Sequence, residues 1–291
     1  MRPGVGLFFT LLLCQLVGCQ WTPPSDATMQ ASTRPYRAMF DREDRSEAIA
    51  EYAAARTVLI FDAEQIARVM GWDRASDAPR DETVVLNLSC GVILSEGGLV
   101  LATAHGTTAR NLLVALPGWH GTEPLQLREA KVLWRREKEA AVGDLAVLQI
   151  ELVTGDPPLA FLDPSVLKTP PPRPGQVVLT SGAGSGEKEM ELSLKHAAGP
   201  VLSVNAVEGL GHEVEVDAPG RPGFSGGPVF AEDGTFAGVS IGYIWQRRLG
   251  LRGIMPVVRM PSKLTVSRPS WDLLAPVLGG DRASASPVEA Q

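Results

Sequence analysis

The sequence predicts an all-β protein built of two barrels that a stiff connector joins. Between about residues 83 and 260 the chain consists of short apolar runs, most of them bounded by Gly, Pro or Asp, which is typical of barrels and sandwiches. The Pro-rich segment 169–174 divides this region into halves of similar length, about 83–165 and 173–260. Because this proline run is short, a connector is favoured over a polyproline docking motif.

The first 19 residues have the pattern of an export signal. A positive start precedes the apolar run 5–17, which is too short to span a bilayer as a stable anchor. The string LVGC ends at Cys19 and resembles the lipobox of bacterial lipoproteins, in which the cysteine becomes the lipidated first residue. This implies a lipid anchor in a bacterial cell envelope, facing the periplasm. Gln20 in place of Asp favours the outer membrane, and a cleaved signal without lipidation is the alternative.

The segments that flank the barrels are expected to be accessory. Residues 20–38 are polar with Pro and Ser, which is typical of a linker. Residues 39–75 are rich in charge and helix formers, so they predict a short helical N-terminal extension packed on the main domain. The domain itself is predicted over 80–262. Residues 263–291 are polar again and predict a C-terminal tail.

Composition excludes several classes of function. The chain has 44% hydrophobic and 21% charged residues, which is ordinary for a protein with a packed core. The net charge of −6 argues against a nucleic-acid partner. The histidines and acids lack the spacing of metal ligands, so neither a metal nor a cofactor is expected. With Cys14 removed in the signal and Cys19 lipidated, Cys90 has no disulfide partner and is expected to be a small buried residue.

The string GRPGFSGGPVF, residues 220–230, surrounds Ser225 with glycines and prolines. Glycine permits backbone conformations and close approaches that other residues forbid, and proline restricts the loop further. Such a string is either a surface turn or a loop that holds a nucleophilic hydroxyl beside N–H groups aimed at an oxyanion.

A serine nucleophile needs a base, and the base needs an orienting carboxylate. Of the four histidines, His105 follows an apolar run that ends in small residues, which would let its imidazole face a cleft. Asp144 precedes the apolar run LAVLQI, so its carboxylate is expected to be partly buried and to need a partner. Taken singly, each of these residues is ambiguous, and for Asp144 the alternative is a turn residue at the entry to a strand.

Together the strings ATAHG, GDLAVLQI and GFSGGPV resemble the histidine, aspartate and serine motifs of the trypsin-like (chymotrypsin-fold) serine peptidases, most closely the bacterial HtrA-type branch. The chain order His, Asp, Ser is also that of the family. The resemblance covers about 83–260 and implies two six-stranded β-barrels, with no PDZ-like domain after them. It implies that His105, Asp144 and Ser225 are catalytic and that the N–H groups of Gly223 and Ser225 form an oxyanion hole.

The implied activity is that of a serine endopeptidase that cleaves proteins through an acyl-enzyme without a cofactor. The resemblance assigns five positions to substrate binding: Pro219, Arg221, Ser240, Ile241 and Gly242. Pro219 stands where an acid would select Arg or Lys, and Ile241 and Ile254 imply apolar walls, so small or medium apolar side chains are expected to bind. Ser240 resembles the family residue that can donate a hydrogen bond to the aspartate.

Two residues depart from the family pattern. Phe224 stands where the family has Asp or Asn beside the serine. It excludes activation by pairing with a new N-terminus and leaves open how the loop is held. Arg221 replaces the Asn of HtrA-type members, and a solvated side chain explains it as well as a substrate contact at the pocket rim does. These departures favour the alternative of a catalytically impaired envelope protein that binds other proteins, whereas the intact His, Asp and Ser favour the enzyme.

Overall fold

The computed structural model describes residues 45–69, 88–118, 125–136, 141–184, 193–248 and 258–279. Within these ranges twelve strands form two closed barrels of six strands each. This confirms the predicted all-β, chymotrypsin-like fold. The predicted signal, Cys19 and the linker lie outside the described residues. None of the described helices is long and apolar enough to cross a bilayer.

The first barrel closes through antiparallel pairing of all its neighbouring strands. Its strands are β1 Thr57–Asp62, β2 Leu88–Ile93, β3 Leu99–Ala102, β4 Leu112–Ala115, β5 Leu127–Arg136 and β6 Leu145–Ile150. They follow one another around the barrel in the order β1, β2, β3, β6, β5, β4, and β4 pairs with β1 to close it. The interior is filled by branched side chains that are fully or almost fully buried, among them Val58, Ile60, Val100, Val114 and Leu148.

The second barrel has the same design. Its strands are β7 Val177–Gly184, β8 Ser193–Val207, β9 Gly211–Val216, β10 Pro228–Ala231, β11 Phe236–Arg248 and β12 Val258–Pro269. They follow in the order β10, β11, β12, β9, β8, β7, and β7 pairs with β10 to close the barrel. Its interior is lined mainly by buried valines and alanines, among them Val178, Val214, Val216, Val229 and Ala237.

A third apolar cluster joins both barrels to the first and the last of three described helices. Helix α1 spans Arg45–Ala54, α2 spans Ala63–Val69 and α3 spans Trp271–Leu278. Tyr52 of α1 packs edge-on against Phe230 of the second barrel, with ring centroids 5.4 Å apart. Burying such a side chain stabilises the fold by about 1.5–3 kcal/mol. The cluster therefore holds the two barrels together.

The predicted helical extension over 39–75 is wrong in one part. Residues 57–62 form β1, which pairs with β2 and β4 and is an integral strand of the first barrel. The sequence TVLIFD is buried along nearly its whole length. A strand that is covered on both faces has no alternation, so its apolar run cannot be distinguished from a helical segment by pattern.

The predicted tail over 263–291 also begins too early. Strand β12 continues to Pro269, and α3 follows it with Leu274 fully buried. The Ser270 hydroxyl accepts a hydrogen bond from the Leu273 N–H and caps this helix. The predicted domain limit of 262 is therefore wrong, because β12, which pairs with β11, continues beyond it. Ile254, predicted to line the substrate pocket, lies outside the described residues.

Candidate active site

His105 and Asp144 meet at the edge of the first barrel. His105 begins a short 3-10 helix, His105–Thr107, which two residues separate from the end of β3. Its Nδ1 lies 2.6 Å from Asp144 Oδ2, and its backbone N–H donates to Asp144 Oδ1 at 3.0 Å. This contact favours the tautomer with its proton on Nδ1, and a neutral imidazole in that tautomer presents the lone pair of Nε2 to act as a base. The His105 side chain is 46% exposed and that of Asp144 only 3%, so the buried carboxylate orients an imidazole that is open to solvent.

The second barrel supports the segment that carries Asp144. This residue follows the 3-10 helix Ala141–Gly143 and precedes β6. The buried Ser267 hydroxyl of β12 donates to Val142 O at 2.9 Å. The Ala104 N–H donates to the backbone oxygen of Asp144 at 3.3 Å. A buried carboxylate is costly unless it is paired, and here its position is set by both barrels.

Two consecutive tight turns carry Ser225, and we call residues 221–227 the serine turns. The first spans Arg221–Phe224 and the second Phe224–Gly227. In each, the N–H of the last residue donates to the carbonyl of the first, at 3.1 and 2.9 Å respectively. The third positions are Gly223 and Gly226, with φ of +89° and +82°. A positive φ at this position is the signature of a type II turn and explains the glycines of the motif.

The serine turns are attached to both barrels. The Cys90 N–H of β2 donates to Ser225 O at 2.6 Å, and the Gly226 N–H donates to Ser240 O of β11 at 2.6 Å. A methyl group at Gly226 would overlap Cys90 O and lie 3.5 Å from Thr103 N, two residues before His105. The structure therefore brings the Ser225 segment to the same junction as His105 and Asp144.

The Ser225 hydroxyl itself is turned towards β11. Its Oγ donates a long hydrogen bond to Ile241 O at 3.5 Å, and among the described residues it makes none with His105. The N–H groups of Gly223 and Ser225 donate to no acceptor within the described part of the chain. Two neighbouring donors without protein partners are what binding of an oxyanion requires.

The predicted substrate-binding residues differ in their exposure. Pro219 and Arg221 are exposed, Gly242 is half-buried and Ile241 is buried. Ser240 is also buried, and its Oγ has no hydrogen-bond partner among the described residues. The hydrogen bond between Ser240 and Asp144 that the resemblance implies is therefore not formed in this structure.

Sequence reasoning missed the contacts of Cys90. The residue is fully buried, as predicted, but its sulfur also lies 3.2 Å from both Gly223 O and Ala183 N. Burial raises the pKa of this thiol to about 12, so it stays protonated at neutral pH. No local pattern signals these contacts, because the partners come from the other barrel.

We expect Cys90 to resist alkylation. A thiol that is buried and protonated offers almost no thiolate to iodoacetamide. At pH 8, peptide mass spectrometry should find Cys90 unmodified in the folded protein and modified after guanidinium denaturation. Rapid modification of the folded protein would contradict the buried position.

The chain is a two-barrel protein with a His–Asp pair beside a glycine-rich serine turn. The family described as "Trypsin-like peptidase domain" matches residues 89–239, and the chain belongs to this family of serine peptidases. A solved serine endoprotease from Yersinia pestis is 19% identical, over 79% of this chain and 62% of that chain, with a TM-score of 0.44. The chain thus spans less than two thirds of that protein. No curated protein matches the sequence.

Proposed function

We propose that the protein is a serine endopeptidase in which His105, Asp144 and Ser225 form the catalytic triad. Membership of the trypsin-like peptidase family supports hydrolysis of peptide bonds in protein substrates. The observation that carries the residue roles is the 2.6 Å contact between His105 Nδ1 and Asp144 Oδ2. This contact holds the imidazole in the tautomer that a general base needs.

The proposed reaction is acyl transfer. Ser225 Oγ attacks the scissile carbonyl while His105 Nε2 takes its proton, and Asp144 stabilises the resulting imidazolium. The N–H groups of Gly223 and Ser225 bind the oxyanion. His105 then protonates the leaving amine, and water hydrolyses the acyl-enzyme. Attack requires Ser225 Oγ to leave Ile241 O and to donate to His105 Nε2 instead. Catalytic hydrogen bonds of this kind are commonly long without substrate and tighten only when substrate is bound.

We expect the cleavage site to follow a small or medium apolar residue. Pro219 supplies no charge at the cleft, and the buried Ile241 supports an apolar wall. Peptide-library profiling should therefore yield Ala, Val or Leu before the scissile bond. A dominant preference for Arg or Lys would contradict this expectation.

A fluorophosphonate probe tests the function, because it reacts only with an activated serine. We expect labelling of the wild type and of Ser203→Ala, a matched serine change in β8, but not of Ser225→Ala. Circular dichroism checks that each protein is folded. Absence of labelling in folded wild type would favour the alternative, a catalytically impaired protease-fold protein that binds other proteins.

The proposed location is the bacterial cell envelope, with a lipid on Cys19 and the peptidase domain facing the periplasm. The sequence of residues 1–19 supports this, and Gln20 favours the outer membrane. Wild type should incorporate radiolabelled palmitate and sediment with membranes. Cys19→Ser should lose both properties, whereas Cys14→Ser should keep them. A wild-type protein without lipid would contradict the anchor.

A further inference from the structure

Phe224 holds the serine turns from the side of the second barrel. It is only 1% exposed, although it is part of a loop. A methyl group at Gly182 of β7 would lie 2.6 Å from Phe224 Cα and 2.8 Å from Cδ1, so the ring and backbone rest directly on this glycine. An apolar contact therefore fills the place that an acid or amide has in the family pattern.

Cys90 holds the same turns from the side of the first barrel. Its thiol donates to Gly223 O at 3.2 Å and accepts from the Ala183 N–H at 3.2 Å. Its backbone N–H donates to Ser225 O at 2.6 Å. The raised pKa of the thiol, about 12, keeps the S–H donor in place over the neutral range. Cys90 thus links β2, β7 and the serine turns at one buried point.

These contacts leave two backbone groups of residues 223–225 unused. Gly223 O accepts from Cys90 and Ala183, and Ser225 O accepts from Cys90. The Phe224 N–H and carbonyl are used within the two turns. Of the backbone polar groups of these three residues, only the N–H groups of Gly223 and Ser225 have no partner within the described ranges. Their neighbours are fixed on either side, which is the preorganisation that an oxyanion hole needs.

We propose that Cys90 and Phe224 are positioning residues that keep the N–H groups of Gly223 and Ser225 in place for the oxyanion. This inference rests on the proposed peptidase function. A positioning role and a merely structural role make different predictions. Misplaced N–H groups weaken binding of the transition state and leave binding of the substrate unchanged, whereas a structural role affects only the folded fraction.

The test compares Phe224→Leu, Cys90→Val and Cys90→Ser with Phe236→Leu, a matched change at a phenylalanine that is equally buried in the second barrel. Loss of one oxyanion donor costs about 10²–10³ in kcat, so displacement of present donors should cost about tenfold to a hundredfold. We expect this loss in Phe224→Leu and Cys90→Val, with KM within about twofold. A peptidyl boronate, which mimics the tetrahedral intermediate, should lose affinity by the same factor.

Cys90→Ser retains a buried donor and should keep most of the wild-type kcat. Phe236→Leu should lower the melting temperature and leave kcat unchanged. Unchanged kcat in folded Phe224→Leu and Cys90→Val, or an equal loss in Phe236→Leu, would overturn the positioning role. If Phe224→Leu does not fold, the difference between Cys90→Val and Cys90→Ser decides. A wild type without turnover would instead refute the proposed function, and this inference with it.

Discussion

His105→Ala should lower kcat by about 10⁴- to 10⁶-fold, because removal of one residue of the proposed triad should remove nearly all the catalysis of the unit. In the proposed mechanism, the substitution deletes the base that takes the proton of Ser225. It also removes the Nδ1–H that faces a carboxylate only 3% exposed. The cost in stability should be about 1–3 kcal/mol, since a buried acceptor loses one partner. Steady-state kinetics and urea denaturation measure the two effects.

The fold should survive His105→Ala. The imidazole is 46% exposed, and the His105 backbone N–H still donates to Asp144 Oδ1. A suitable control is His212→Ala in β9, where burial and the nearby Arg268 lower the pKa of the imidazole. We expect kcat of this control to stay within about twofold of the wild type, since the proposed mechanism gives His212 no role. A His105→Ala protein with more than a tenth of the wild-type activity would refute the assignment of the base.

Gly226→Ala should damage both activity and stability. The backbone at this position has φ of +82°, and the new methyl group would overlap Cys90 O, which is rigid backbone of β2. Strain from a positive φ costs about 1–3 kcal/mol, and overpacking costs about the same again. We therefore expect a loss of about 2–6 kcal/mol in the free energy of unfolding. Because Ser225 is the adjacent residue, kcat should fall by at least about a hundredfold.

Gly209→Ala separates the two causes. Its φ of +69° is also positive, but a methyl group there would meet nothing within 4 Å. It should cost only about 1–3 kcal/mol and leave kcat unchanged, because it adds backbone strain without a clash. Urea denaturation measures the loss of stability in both variants. Equal losses would show that the predicted clash between a methyl group at position 226 and Cys90 O adds no cost.

The predictable part of the site has a local origin. The glycines of the serine motif predict backbone positions with positive φ. In the structure, Gly223 and Gly226 have positive φ at the third position of two turns. His105 and Asp144 each adjoin a short apolar run that forms a barrel strand, β3 or β6. The residue types of the candidate site and the boundaries of these strands could therefore be predicted from the adjacent sequence. The family resemblance then indicated that the three motifs belong to one site.

The fold was predicted less well at its two ends. Strand β1 lies in a segment that was expected to be helical, and much of β12 lies in the expected tail. Both are recognised as strands only by their partners, since β1 pairs with β2 and β4 and β12 pairs with β9 and β11. The paired strands are far apart in the sequence, and the hydrophobic periodicity within one segment does not predict which strand pairs with it.

The amino-acid sequence alone determined the class of fold, the family and the identity of the three candidate catalytic side chains, because each depends on short local patterns. The tertiary structure decided how the serine turns are held. Cys90 and Gly223 are 133 residues apart, and their contact exists only because the two barrels pack together. In the sequence, Cys90 looks like an ordinary core residue, and Phe224 is only a departure from the family pattern. Only packing shows that they adjoin the N–H groups of Gly223 and Ser225.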